Sequence, residues 1–294
     1  MAKHPELFSN LGEQRSPLKM RRDAEHKVWT ENKAQLIARY LRYFVFITKH
    51  GAYIDGFAAP KDPDNPDSWA AKLVVESEPK FLRQFFWCEL EVDRAKYLTD
   101  LQSQQPPSKP ARKYQVLIGD FNQSIDGILS SGIITDKTAT FCLVDQYMCE
   151  CEWATLQKLA RHKGPGHNKI EIFYFLGVGW LARGLSGFTR NTDIPEKWWG
   201  RKDWTKLQKL GATPLQMAFE DRFKNELGYR NVYSFPIYEH EGQSGKHMFT
   251  MIHASDHDEA PRLMQRAYRN VMKPLEPEEQ LEMELAHQLD NGAR

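Results

Sequence analysis

The stretch Gly51–Pro60, "GAYIDGFAAP", decides how this chain is read. "GAYI" is a short apolar run of strand-forming residues, and Asp55, Gly56, Phe57 and Ala58 follow it. An acid and a glycine just past an apolar strand form the pattern in which an open α/β sheet turns its backbone toward a ligand. A glycine-rich continuation is missing. Ala59, Pro60 and Lys61 follow instead, and then "DPDNPDSW", with aspartates interleaved among prolines.

Outward from this stretch, four more apolar runs appear: "QFFWCE", "YQVLIGD", "ATFCLVD" and "KIEIFYFL". Between them "EVDRAKYLTDLQ", "FNQSIDGILSS" and "EWATLQKLARHK" carry apolar residues at helical spacing. Strands alternating with helices predict a doubly wound α/β domain with a parallel sheet. Upstream, about Leu18 to Lys49 reads as helix, so 1–50 is expected to be an N-terminal helical extension and 51–176 the α/β core. Residues 177–228 hold four tryptophans and no clear strand, which predicts a helical insertion. "RNVYSFPIYE" and "HMFTMIHAS" predict a closing antiparallel hairpin, completed by a helix within 229–273. Residues 274–294 form an acidic tail.

The 294 residues suffice for a sizeable core, and 41% hydrophobic with 27% charged residues is the balance of a soluble globular chain. No apolar run reaches the roughly 18–20 residues of a membrane span. Four cysteines make no disulfide framework, which predicts a reducing, cytoplasmic setting. A net charge of +1 excludes a protein that is basic all over.

The residues at the strand ends are acidic: Asp55, Glu89, Asp120 and Asp145. Open parallel sheets bind ligands outside these ends, and a carboxylate after the second strand can accept hydrogen bonds from ribose hydroxyls. Any of the four could instead cap the helix that follows, Asp120 above all. In order and spacing, "YIDGFAAP", "FFWCELEVDRAKYL", "VLIGDFN", "FCLVDQYMCECEWATLQKLA" and "FTMIHASDHDEAPRLM" resemble the bacterial three-Cys-motif partner proteins. Those proteins are similar to class I S-adenosylmethionine-dependent methyltransferases. The resemblance implies a Rossmann-like, seven-stranded sheet ending in an antiparallel hairpin, S-adenosylmethionine as cofactor, and a partner protein carrying three cysteines. It also implies that Asp55, Gly56, Phe57 and Ala58 meet the methionine moiety, that Glu89 holds the ribose, and that Asp120 with Phe121 holds the adenine. Asp145 to Met148 would stand where the family has Asp-Pro-Phe-Gly, a motif resembling that of amino-methylating enzymes, which makes Asp145 and Tyr147 the catalytic candidates.

The chain departs from that pattern in both loops. Ala59 and Lys61 stand where the family tends to have glycines, and Gln146 and Met148 replace proline and glycine. Two readings follow: a methyltransferase of amino groups, with nucleic acid as its substrate, or a non-catalytic subunit that binds a partner protein or nucleic acid. Trp198, Trp199 and Trp204, with Arg201 and Lys202, suit stacking on bases and contact with phosphates, or a protein interface. They suit equally well the packing of the insertion against the sheet. Asp62, Asp64 and Asp67 read as a solvated loop. Cys149 and Cys151 lack the second pair of a zinc site, and no metal is expected.

Overall fold

The computed structural model describes residues 17–240 and 244–272. Residues 1–16, the hairpin tip 241–243 and residues 273–294, with the expected acidic tail, lie outside the described residues. The elements run in the order α1 (Pro17–Thr48), β1 (Gly51–Asp55), α2 (Ala70–Glu76), β2 (Leu82–Glu89), α3 (Val92–Ser103), β3 (Lys113–Ile118), α4 (Phe121–Ser130) and β4 (Thr140–Val144). Then come α5 (Trp153–Arg161), β5 (Glu171–Leu176), α6 (Val178–Ser186), α7 (Asp193–Trp199), α8 (Ala212–Asn225), β6 (Asn231–His240), β7 (Ser244–Ser255) and α9 (Ala260–Met272).

The seven strands form one sheet in the order β3-β2-β1-β4-β5-β7-β6. β1 to β5 pair in parallel, while β7 runs antiparallel to both β5 and β6. The expected parallel strands and closing hairpin are therefore present. β1 lies between β2 and β4, which is why all five of its residues are buried and why it reads as apolar up to the terminal Asp55. The strand order reverses between β1 and β4, so the crevice of this fold opens there.

Helices cover both faces. α1 lays Leu36, Ile37, Tyr40, Leu41, Phe44 and Val45 on one face, each at 8% exposure or less. It packs there with α2, α3 and α9. α1 ends at Lys49, whose φ of 58° turns the chain back into β1. The other face carries α4 to α8. No helix among the described residues is long and apolar enough to cross a membrane.

The segment 177–228 folds as α6, α7, a 3-10 turn over Lys202–Lys209, and α8. Its tryptophans require a correction. Trp198, Trp199 and Trp204 are 0%, 6% and 4% exposed, so their rings offer no stacking surface to nucleic acid or a partner. Trp198 packs on Phe219 with ring centres 5.1 Å apart, and its Nε1 donates to the Tyr174 hydroxyl at 2.8 Å. The buried Arg222 guanidinium lies 3.7 Å from the ring centre of Trp153 and 4.1 Å from that of Trp199, and is held by Glu226 at 2.6 Å. Arg201 reaches the surface but spends its charge on the same Glu226 at 2.6 Å, and Lys202 is exposed. Aromatic rings interleaved with cations describe a core here because the cation is sandwiched and neutralised inside it.

Trp198→Ala is therefore expected to cost about 3–5 kcal/mol of unfolding free energy in a urea titration. Lys202→Ala should stay within about 0.5 kcal/mol of the parent. A Trp198 variant as stable as the parent would contradict this packing.

Candidate functional site

At the carboxyl end of β1, Asp55 is 2% exposed. One carboxylate oxygen accepts from the Tyr53 hydroxyl at 2.8 Å, and the other from the Phe57 N–H at 3.1 Å. Burial outweighs these bonds and raises the Asp55 carboxyl to about 7. The loop that follows is tied to the sheet. Gly56 N–H donates to the Leu143 carbonyl at 3.0 Å, and Ala58 N–H to the Cys88 carbonyl at 2.9 Å. The Ala58 carbonyl accepts from Trp69 Nε1 at 2.7 Å, and Arg94 reaches the Pro60 carbonyl at 3.2 Å.

Gly56 serves this packing. A Cβ placed on it would lie 2.8 Å from the Phe121 ring, so the glycine lets that ring settle under the loop. Phe121 is 3% exposed and meets Phe57 edge-on with ring centres 6.0 Å apart. Ala59 is buried, and Lys49 is the one non-glycine residue with positive φ among those described. The alanine therefore sits in ordinary backbone geometry.

Glu89, at the end of β2, is 6% exposed; its Oε1 accepts from the Glu91 N–H at 3.0 Å, and its Oε2 lies 3.8 Å from Arg94. Asp120, past β3, caps α4 by accepting from the Asn122 N–H at 2.8 Å. The capping alternative thus holds for Asp120, whose second oxygen carries no further described bond. Phe121 lies beneath the loop instead of beside an open adenine site.

Asp145 is the most heavily paired of the four strand-end acids. Lys33, from α1, approaches it at 2.6 Å and 2.7 Å on its two oxygens, and Lys61 lies 3.5 Å away. Lys33 Nζ also sits 4.3 Å from the centre of the Phe175 ring. Burial lowers the Lys33 ammonium to about 8, against the opposing pull of Asp145. Gln146 is 1% exposed and acts as a fastener: its Oε1 accepts from the Cys151 N–H at 3.0 Å. Met148 packs against α6 where Gly184 leaves space, since a Cβ there would collide with its Cε. Tyr147 is 51% exposed and stacks on Trp180 with ring centres 5.9 Å apart. Cys149 and Cys151 are buried, and burial pushes both thiols well up, away from reactive thiolates.

Lys33 and the pairing role of Lys61 escape a reading of strand ends alone. Lys33 carries a signal all the same: it stands in phase with Ile37, Tyr40 and Phe44 on the apolar stripe of α1. A lysine on such a stripe demands a buried carboxylate.

An S-adenosylmethionine-shaped ligand fits this edge only in part. Glu89 and Asp120 keep acceptor capacity on the nucleoside side. On the methionine side the loop's amides are bonded to the sheet, and Asp145 is neutralised by two lysines of the chain. The methionine half does not fit the loops as they stand.

No protein-family model matches the chain. No curated protein sequence matches it either. Among solved structures it is similar to a DszA carbon methyltransferase, with TM-score 0.39 and 16% identity, covering 70% of this chain and 47% of that one. It is also similar to TYW2 of M. jannaschii in complex with AdoMet (TM-score 0.36, 9% identity, 70% and 68% covered). A third is the putative methyltransferase yhhF of Escherichia coli (TM-score 0.34, 10% identity, 75% and 86% covered). The chain thus spans about half the length of the first of these. The fold itself stands on its own topology, a seven-stranded α/β sheet with five parallel strands and a closing antiparallel hairpin.

The buried Asp55 sets a pH dependence. The folded chain holds this proton up to about pH 7, whereas the unfolded chain loses it near 4. Unfolding therefore releases a proton in that interval, and stability falls as pH rises from about 4 to about 7, by on the order of 4 kcal/mol in full. Asp55→Asn should flatten this part of the profile, measured as urea unfolding free energy at pH 5 and pH 7. An equal slope in both proteins would contradict the assignment.

Proposed function

We propose that this chain is a methyltransferase-fold protein with a binding role, whose acceptor-side carboxylate is occupied by its own lysines. The observation that carries the reading is the ion cluster of Lys33, Lys61 and Asp145. Amino-group methylation needs an unencumbered acceptor to align the incoming amine, and alignment supplies most of such catalysis. Here Asp145 is 9% exposed and held by the buried Lys33 ammonium. The altered first loop supports the same reading, because its amides hold the sheet.

The resemblance to three-Cys-motif partner proteins supports a protein partner of that class. A second reading, an S-adenosylmethionine-dependent methyltransferase acting on amino groups of nucleic acid, is favoured by one observation. Tyr147 stays half exposed beside Asp145 and could offer a stacking face.

Calorimetric titration with S-adenosylmethionine separates the two readings. No saturable heat is expected in the micromolar range, where binding would be worth roughly 8 kcal/mol. Micromolar binding that disappears in Glu89→Ala, together with methyl transfer to DNA or RNA, would overturn the binding role and establish the enzyme.

A further inference from the structure

At the opposite, amino-terminal edge of the parallel strands the fold forms a half-open cavity of about 340 Å³. It lies between the C-terminal half of α1, the segments entering β4 and β5, and the start of α9. That volume is within the range of small-molecule sites.

Apolar, cationic and anionic groups line it, and Asp136, Lys137, His167, Lys169 and His257 do so from less buried positions than Lys163 and Glu171. Phe44 and Ile47 of α1 and Leu263 of α9 supply an apolar wall, and Ile47 is 44% exposed. Lys163 supplies a cation at 9% exposure. Its Nζ donates to the Thr138 carbonyl at 2.5 Å, and no described carboxylate pairs with it, so two N–H donors remain. Burial lowers its ammonium to about 8, while Asp136 and Glu171 pull it upward, so it is charged at neutral pH. Glu171, at 4% exposure, supplies a carboxylate. Its Oε1 accepts from the Tyr40 hydroxyl and from His253 Nε2, the latter at 2.7 Å, and its other oxygen has no described partner.

Two buried opposite charges thus line one cavity. They sense one another electrostatically, yet lie too far apart to form an ion pair. Buried charges with unspent bonding capacity are costly, and native folds satisfy them with partners. A free anion would meet Lys163 but also the repulsion of Glu171, and a free cation the reverse. A molecule carrying both charges satisfies both groups at once.

We propose that this cavity binds an α-amino acid with an apolar side chain. Its carboxylate takes the free donors of Lys163, its ammonium takes the second oxygen of Glu171, and its side chain lies along Phe44, Ile47 and Leu263. The site is separate from the carboxyl-edge crevice and does not depend on any methyl donor binding there.

The test is a calorimetric titration of the full chain with L-leucine and L-phenylalanine. Each is compared with the amine lacking its carboxylate and the acid lacking its ammonium. Saturable binding of an amino acid is expected, with amine and acid each weaker by about tenfold or more. Lys163→Met, with an unchanged circular dichroism spectrum, should lose about tenfold in affinity. Ile47→Ser changes a half-exposed rim residue and should weaken binding severalfold while leaving the fold intact. The proposal is overturned by absence of binding, by the acid binding as tightly as the amino acid, or by full affinity in Lys163→Met.

Discussion

The buried ion pair between Lys33 and Asp145 joins the two parts of the chain that everything else depends on. Lys33 belongs to α1, which covers one face of the sheet, and Asp145 follows β4, where the strand order reverses. Removing one partner of such a pair strands the other charge in the interior, typically at a cost of about 3–5 kcal/mol. The pair is therefore a weak source of net stability but a strong constraint on geometry. With α1 in place, its lysine is committed to the carboxylate at the switch point. The first-loop Lys61 approaches the same carboxylate at 3.5 Å.

That constraint orders the rest of the carboxyl edge. In the segment after β4, Gln146, Met148, Cys149 and Cys151 are buried, while Tyr147 stays half exposed. Gln146 bonds to the Cys151 amide, and Met148 fills the space above Gly184. Gln146 and Met148 thus both have partners within the fold. The β1 loop behaves alike, since Gly56 makes room for Phe121 and its neighbours bond the sheet. Both loops are well packed, which separates them from a site that has merely lost residues.

How much of this was legible in the sequence varies with the kind of signal. The central parallel strands were visible because a strand buried on both faces is nearly continuously apolar, as β4 is, whereas the half-exposed edge strand β3 carried a weaker signal. The hairpin was visible because β6 and β7 are long and bounded by a Gly-containing turn. The tryptophans were not, because a ring beside a cation has the same pattern whether the cation waits for phosphate or is buried. Arg222, eighteen residues or more downstream of the three tryptophans in question, decides it by folding back between Trp153 and Trp199. The fate of Asp145 was hidden for a related reason. Its partner lies 112 positions away on α1, and only the tertiary fold brings them together.

The two edges of the parallel strands now divide in character. At the carboxyl edge, the acceptor at the switch point meets a cation of the chain at ion-pair distance, so the charges cancel within the fold. At the amino edge, Lys163 and Glu171 are equally withdrawn from water, but the fold holds them apart with bonding capacity unspent. Glu171 is anchored by Tyr40 from α1 and His253 from β7, so it cannot swing to Lys163 without releasing both. Lys163 is anchored by the Thr138 carbonyl. α1 contributes to both edges: Lys33 closes one, while Tyr40 and Phe44, further along the same stripe, help shape the other. A single helix thereby neutralises the edge where this fold ordinarily meets its ligand and leaves complementary charge facing the cavity at the other.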